Sequence, residues 1–146
     1  MDPKLTAITL GVRDLRTARH FYVDGLGWEP LLEVPGEVIF IQAAGSQVLT
    51  LWPVGEMARE AGSVGHSAKA PPVTLGHNVD SAEDVARVIE EALAAGGTLI
   101  RNAGPTSWGG TNGYFADPDG FRWEVVHNSG FRVTADGQVH LGPVRD

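Results

Sequence analysis

Between residues 5 and 13 apolar and polar positions alternate. This puts Ile8, Leu10 and Val12 on one face and Ala7 and Thr9 on the other, as in a strand with one buried side. The period then lengthens. Asp14 is placed to cap a helix whose stripe is Leu15, Ala18, Phe21 and Tyr22, and Gly25-Leu26-Gly27 stops it. Three strand-like runs follow at 28–34, 37–42 and 47–52. They are broken by Pro35-Gly36 and Gly45-Ser46, both short enough for hairpin turns.

The second half repeats this order. Residues 72–79 read as a strand with Val73, Leu75, His77 and Val79 on one face. Ser81-Ala82-Glu83-Asp84 has the form of a capping box, opening a helix with the stripe Val85, Val88, Ile89, Ala92 and Leu93. Gly96-Gly97 ends it, and strands are expected at about 98–103, 112–116 and 121–127. Val12 and Val79, each just before a helix, are 67 residues apart, and Gly27 and Gly97 are 70 apart. A strand-helix-three-strand unit occurring twice implies internal duplication. Two copies are too few for a solenoid; the expected fold is α+β, two βαβββ modules forming a cupped mixed sheet with helices outside. The chain, 1–146, is expected as one domain: module one 4–53, a linker 54–71, module two 72–128 and a tail 129–146. Residues 56–61 are expected to make one helical turn, and Ala135-Asp136-Gly137 to turn a small hairpin.

Composition narrows the function. With 18 acids against 11 bases the net charge is −7, which argues against nucleic acid and leaves neutral or cationic small ligands easier to hold. The absence of cysteine excludes disulfides, thiolate metal sites and a cysteine nucleophile. No apolar run reaches the roughly 18 residues of a membrane span, and no export signal is visible, so a cytoplasmic protein without a membrane partner is expected.

One carboxylate stands out. Asp117-Pro118-Asp119-Gly120 supplies a fixed φ at Pro118 and a residue tolerant of positive φ at Gly120, as a reversing turn requires. Beyond it, Arg122, Glu124 and Val126 alternate with Phe121, Trp123 and Val125, so Glu124 lies on the face opposite Trp123. Glu124 is either a general base or a structural carboxylate, paired with Arg122 or hydrogen-bonded to Thr50 or Thr74.

The paired plan resembles the vicinal-oxygen-chelate superfamily, which includes glyoxalase I, extradiol dioxygenases and bleomycin-resistance proteins. The matching segments are Leu10-Gly11-Val12-Arg13-Asp14-Leu15, His20-Phe21-Tyr22 and Gly25-Leu26-Gly27-Trp28 in the first half. In the second they are Trp108-Gly109-Gly110 and the segment from Asp117 to Glu124. In metal-dependent members four inward positions supply His, Gln or Glu ligands. The resemblance carries these to Ala7, Thr50 (Leu49 if the register slips by one), Thr74 and Glu124. Ala7 has no donor, and a threonine hydroxyl is a poor ligand for a divalent first-row ion. The expectation is a chain without the metal site and without a cofactor. His20, His66, His77, His127 and His140 form no pair at helical or strand spacing, so none is expected to ligate metal.

The aromatic residues point elsewhere. Trp52 shares a face with Thr50, Trp108 sits in a glycine-flanked loop, and Tyr114 or Phe115 points to the same side as Glu124. Trp28 and Trp123 are expected in the core. The ligand-binding set is Ala7, Thr9, Thr50, Trp52, Thr74, Trp108, Tyr114, Arg122 and Glu124, with Glu124 as the catalytic candidate. The expected function is metal-independent sequestration of a planar, aromatic or natural-product ligand by a homodimer, of the antibiotic-resistance type. The alternative is an enzyme of the same superfamily, a lyase, isomerase or dioxygenase, using Glu124 for proton transfer.

Overall fold

Asp14 starts the first helix as its sequence position requires: its carboxylate accepts from Arg16 N at 3.1 Å and from Thr17 Oγ1 at 2.8 Å. The computed structural model describes residues 1, 5–45, 47–64, 70–136 and 138–142. It divides into two units, Met1–Ala68 and Lys69–Asp146. Ser46, His66 and Gly137 lie outside the described residues.

In the first unit β1 (Ala7–Val12) leads to α1 (Leu15–Arg19), which widens into a π-helical segment, His20–Gly25. The bond that marks the wider turn runs from Leu26 N to Phe21 O at 2.9 Å. Strands β2 (Pro30–Val34), β3 (Val38–Ala44) and β4 (Gln47–Pro53) complete a sheet of order β1-β4-β3-β2, with β1 and β4 parallel and the other pairs antiparallel. Leu10, Leu51 and Ile39 lie side by side across it, as do Leu49 and Ile41, and all are buried with Ala18, Phe21 and Tyr22. Phe21 meets Tyr22 edge to face at 4.9 Å, and Tyr22 contacts the half-buried Trp28 at 5.5 Å.

The expected single turn at 56–61 is instead a two-turn helix, α2 (Val54–Ala61). Pro53 occupies its N-cap position, and Gly11 offers β1 without a side chain. Val54 and Met57 settle there, 3.1–3.3 Å from where a Cβ would stand.

The second unit repeats the topology. Strands β5 (Thr74–Asn78), β6 (Thr98–Pro105), β7 (Thr111–Ala116) and β8 (Arg122–His127) have the order β5-β8-β7-β6, with β5 and β8 parallel. Helix α3 (Ala82–Ala94) packs on β6, β7 and β8 through buried Val85, Ile89 and Ala92. Ser81 Oγ caps it, accepting from Asp84 N at 3.2 Å. Bonds from Gly96 N to Leu93 O at 3.1 Å and Gly97 N to Ala92 O at 2.9 Å form the Schellman closure that a Gly-Gly end favours.

Val73 departs from the expected strand. Its N–H donates to Pro71 O at 2.8 Å, which holds it out of the ladder, and its side chain is exposed. After β8 the chain forms a two-stranded antiparallel ribbon, β9 (Phe131–Val133) with β10 (Val139–Leu141). No helix among the described residues is long and apolar enough to cross a membrane.

Candidate functional site

The site is built on β7 and β8 and on the turn that joins them. Asp117 is buried, and its Oδ1 accepts from the backbone of Asp119 at 3.0 Å and of Phe121 at 2.9 Å. Gly120 takes φ +93° and donates its N–H to Asp117 O at 3.0 Å. The closed turn sets the register, pairing Phe115 with Trp123 and Tyr114 with Glu124. Phe115 and Trp123 stack at 6.2 Å and are both buried, so they form the α3 side of the sheet. Tyr114 and Glu124 therefore stand on the reverse face.

There the side chains form a connected network. Glu124 Oε1 accepts from Asn112 Nδ2 at 2.6 Å and from the Tyr114 hydroxyl at 2.7 Å. The Arg101 guanidinium donates to Asn112 Oδ1 and lies over the Tyr114 ring, 4.9 Å from its centroid. Each member holds another: Arg101 turns the Asn112 amide so that its NH2 faces Glu124, and Glu124 holds the hydroxyl of the ring that Arg101 covers. Charge-assisted bonds of this kind are worth about 1.5–3 kcal/mol each. Burial, then the hydrogen bond to Glu124, pushes the Tyr114 pKa above its ordinary value, with Arg101 acting against. The phenol stays protonated at neutral pH and acts as a donor.

Glu124 thus has partners that differ from the expected Arg122, Thr50 or Thr74. Arg122 shares its face, yet among the described residues no hydrogen bond or ion pair engages the Arg122 guanidinium. Both side-chain hydrogen bonds to Glu124 end on Oε1, so Oε2 accepts from no described residue. Sequence reasoning missed Asn112 and Arg101. Asn112 was within reach, because it precedes Tyr114 by two on the same strand face. Arg101 was not, because register shifts on either side of it on β6 erase the simple alternation.

The remaining predicted residues fall in two groups. In the second unit, Thr74 pairs with Arg122 and shares the reverse face with Tyr114 and Glu124. Trp108 is 43% exposed in the loop between β6 and β7. Its ring rests on Gly110, where an added Cβ would come within 1.9 Å of it and 2.7 Å of the His127 carbonyl. In the first unit, Ala7, Thr9, Thr50 and Trp52 share the face opposite Leu10 and Leu51, where Thr50 pairs with Thr9 and with Phe40. Leu49 is buried on the α1 side, so Thr50, not Leu49, lies on the reverse face.

The histidines are dispersed. His20 is exposed on the π-helical segment, His127 Nδ1 is 3.2 Å from Val79 O, and His140 lies in the exposed ribbon. His77 is exposed on β5. Among the described residues no three His, Asp or Glu side chains gather as a metal would need. Of the four positions the resemblance implies, Ala7 offers no donor, Thr50 and Thr74 a hydroxyl each, and Glu124 a carboxylate already accepting two hydrogen bonds. This set does not suit a divalent first-row ion.

Comparison with known proteins adds a context for this geometry. The model of the glyoxalase/bleomycin resistance protein/dioxygenase superfamily matches residues 4–125. Among solved structures the chain is similar to a glyoxalase-related enzyme from Fulvimarina pelagi. The two are 38% identical with a TM-score of 0.86, over 96% of this chain and 99% of that one. A lactoylglutathione lyase from Agrobacterium tumefaciens, 23% identical with a TM-score of 0.65 over 87% of this chain and 95% of that one, shares the fold. A lactoylglutathione lyase of Arabidopsis thaliana is 36% identical over 53 residues, which is 36% of this chain and 19% of that protein. The matched segment therefore spans about a fifth of that curated relative.

Proposed function

The chain belongs to the glyoxalase/bleomycin resistance protein/dioxygenase superfamily, and from that premise we propose that it binds a small planar or aromatic molecule without a divalent metal ion. The observation that carries this reading is the donor set: Ala7, Thr50 and Thr74 offer no strong ligand, and Glu124 is committed to Asn112 and Tyr114. In this reading Glu124 is a fixed anchor, and binding comes from hydrogen bonding and ring contacts. Tyr114 and Trp108 supply ring surface in the second unit. Aromatic contacts of this kind add about 0.5–1.5 kcal/mol per ring pair beyond burial. A homodimer acting in the cytoplasm as a sequestering, antibiotic-resistance type of protein belongs to the same proposal.

A second reading is enzymatic, and the open Glu124 Oε2 favours it. A carboxylate held on one oxygen by two donors has its other oxygen free to take a proton from a bound substrate. The proton would pass to Oε2 while Tyr114 and Asn112 keep the group oriented. The Fulvimarina pelagi relative is described as an enzyme, which supports it.

Elemental analysis and equilibrium dialysis test the first reading. Protein stripped by a chelator should keep its melting temperature and its ligand affinity. Recovery of a stoichiometric transition metal whose removal abolishes binding would overturn it. The second reading predicts turnover that Glu124→Gln removes while leaving the fold intact.

A further inference from the structure

Gly76 has no structural reason to be glycine. It lies inside β5, directly beside Glu124 in the parallel ladder. Its φ is not among the positive values that favour glycine. A Cβ built on it meets nothing within 4 Å, so no neighbouring group requires its absence either. Glycine in a strand interior weakens the strand and marks a place where something else comes close. In the first unit the matching position in the row, Thr9 beside Thr50, carries a side chain.

What Gly76 leaves is room beside Glu124, and the groups around that room have unmet capacity. Glu124 Oε2 accepts from no described residue, and the Arg122 guanidinium, two residues back on the same face, is engaged by none. Thr74, beside Arg122, adds a hydroxyl at the rim. Tyr114 closes the other flank of Glu124 and Asn112 pins its Oε1, so the carboxylate cannot swing across to Arg122 without giving up two bonds.

We infer that Gly76 is the seat for the head group of a zwitterionic ligand, an ammonium and a carboxylate on the same or neighbouring carbons. The ammonium donates to Glu124 Oε2 and the carboxylate accepts from Arg122. Side chains two residues apart on a strand start about 6.6 Å from one another. A head group of this size, with a hydrogen bond of about 2.8 Å at each end, spans that interval. The inference rests on the small-molecule reading above and names the class of molecule that reading leaves open.

Three matched probes test it by calorimetry on the full chain: phenylalanine, phenethylamine with only the cation, and 3-phenylpropanoate with only the anion. Phenylalanine should bind at least about tenfold more tightly than either half, the ratio expected for one charged hydrogen bond. Glu124→Gln should weaken phenylalanine and phenethylamine but not 3-phenylpropanoate, and Arg122→Gln the converse. Gly76→Val should abolish binding of all three while leaving the melting temperature unchanged or higher. Gly76→Ala serves as the smaller probe of the same space if valine disturbs folding. Equal affinity for the three probes, or unchanged binding in both Gly76 variants, would overturn the inference. Absence of phenylalanine binding would do so too. If an uncharged planar compound still binds, the zwitterion assignment alone fails; if no small molecule binds, the broader reading fails with it.

Discussion

Both units lay one row of four residues across the reverse face of the sheet, and the rows share a register but not a chemistry. In the first unit the row is Thr9, Thr50, Phe40 and Leu32. In the second it is Gly76, Glu124, Tyr114 and Arg101. The adjacent rows on the helix side stay apolar in both: Ile8, Leu49 and Ile41 against Leu75, Trp123 and Phe115. A duplicated unit must keep its helix-side row, because burying it stabilises the unit. The reverse rows differ: hydroxyls and apolar side chains in the first unit, a hydrogen-bonded set of charged and polar groups in the second.

The largest effects should come from the rows the units have in common. Leu49→Ala in the first unit and Trp123→Ala in the second should each destabilise by about 2–5 kcal/mol in urea unfolding, the usual cost of deleting a large buried apolar side chain. A loss in only one unit would break the claim that the two helix-side faces are equivalent.

Smaller, one-sided effects should follow on the reverse row. Asn112→Ala removes two bonds and leaves Glu124 and Arg101 each short of a partner, for an expected cost of about 1–3 kcal/mol. Its counterpart test is Thr50→Val, which removes a hydroxyl from a row without a network and should cost no more than about 1 kcal/mol. Equal costs in the two units would show that the second row is not specially organised.

The smallest signal is a titration. Because the Tyr114 pKa is raised in the folded protein, folded Tyr114 keeps its proton where an unfolded tyrosine, at about 10, loses it. Stability should therefore be independent of this group's titration below pH about 10 and fall as pH rises above it. Tyr114→Phe should flatten that slope. An ultraviolet titration in which every tyrosine ionises at the ordinary value would remove this distinction between the Phe40 and Tyr114 rows.

The repeat was legible because both units announce themselves alike. A capping residue, Asp14 or Ser81, follows a strand, and a glycine pair with positive φ at one member follows each helix. The reversal at Asp117-Pro118-Asp119-Gly120 fixed the phase of Glu124 against Trp123, and that phase holds. The π-helical segment was hidden because one wider turn leaves the stripe of Ala18, Phe21 and Tyr22 unchanged. Helix α2 extends beyond the single turn that its local sequence suggests because Val54 and Met57 gain their support from Gly11, which is far away in sequence. The partners of Glu124 were hidden for a similar reason. Arg122 is its neighbour along the chain, whereas Asn112 and Tyr114 reach it only across the ladder, and Arg101 only through a bulged edge strand.

Tryptophan fluorescence of chelator-stripped protein, titrated with a panel of planar compounds, addresses the metal-free anchor most directly. Saturable quenching by at least one compound, weakened by Glu124→Gln and indifferent to added zinc, nickel or manganese, is the predicted result. Quenching by none, or quenching that appears only once a metal is restored, would contradict the account.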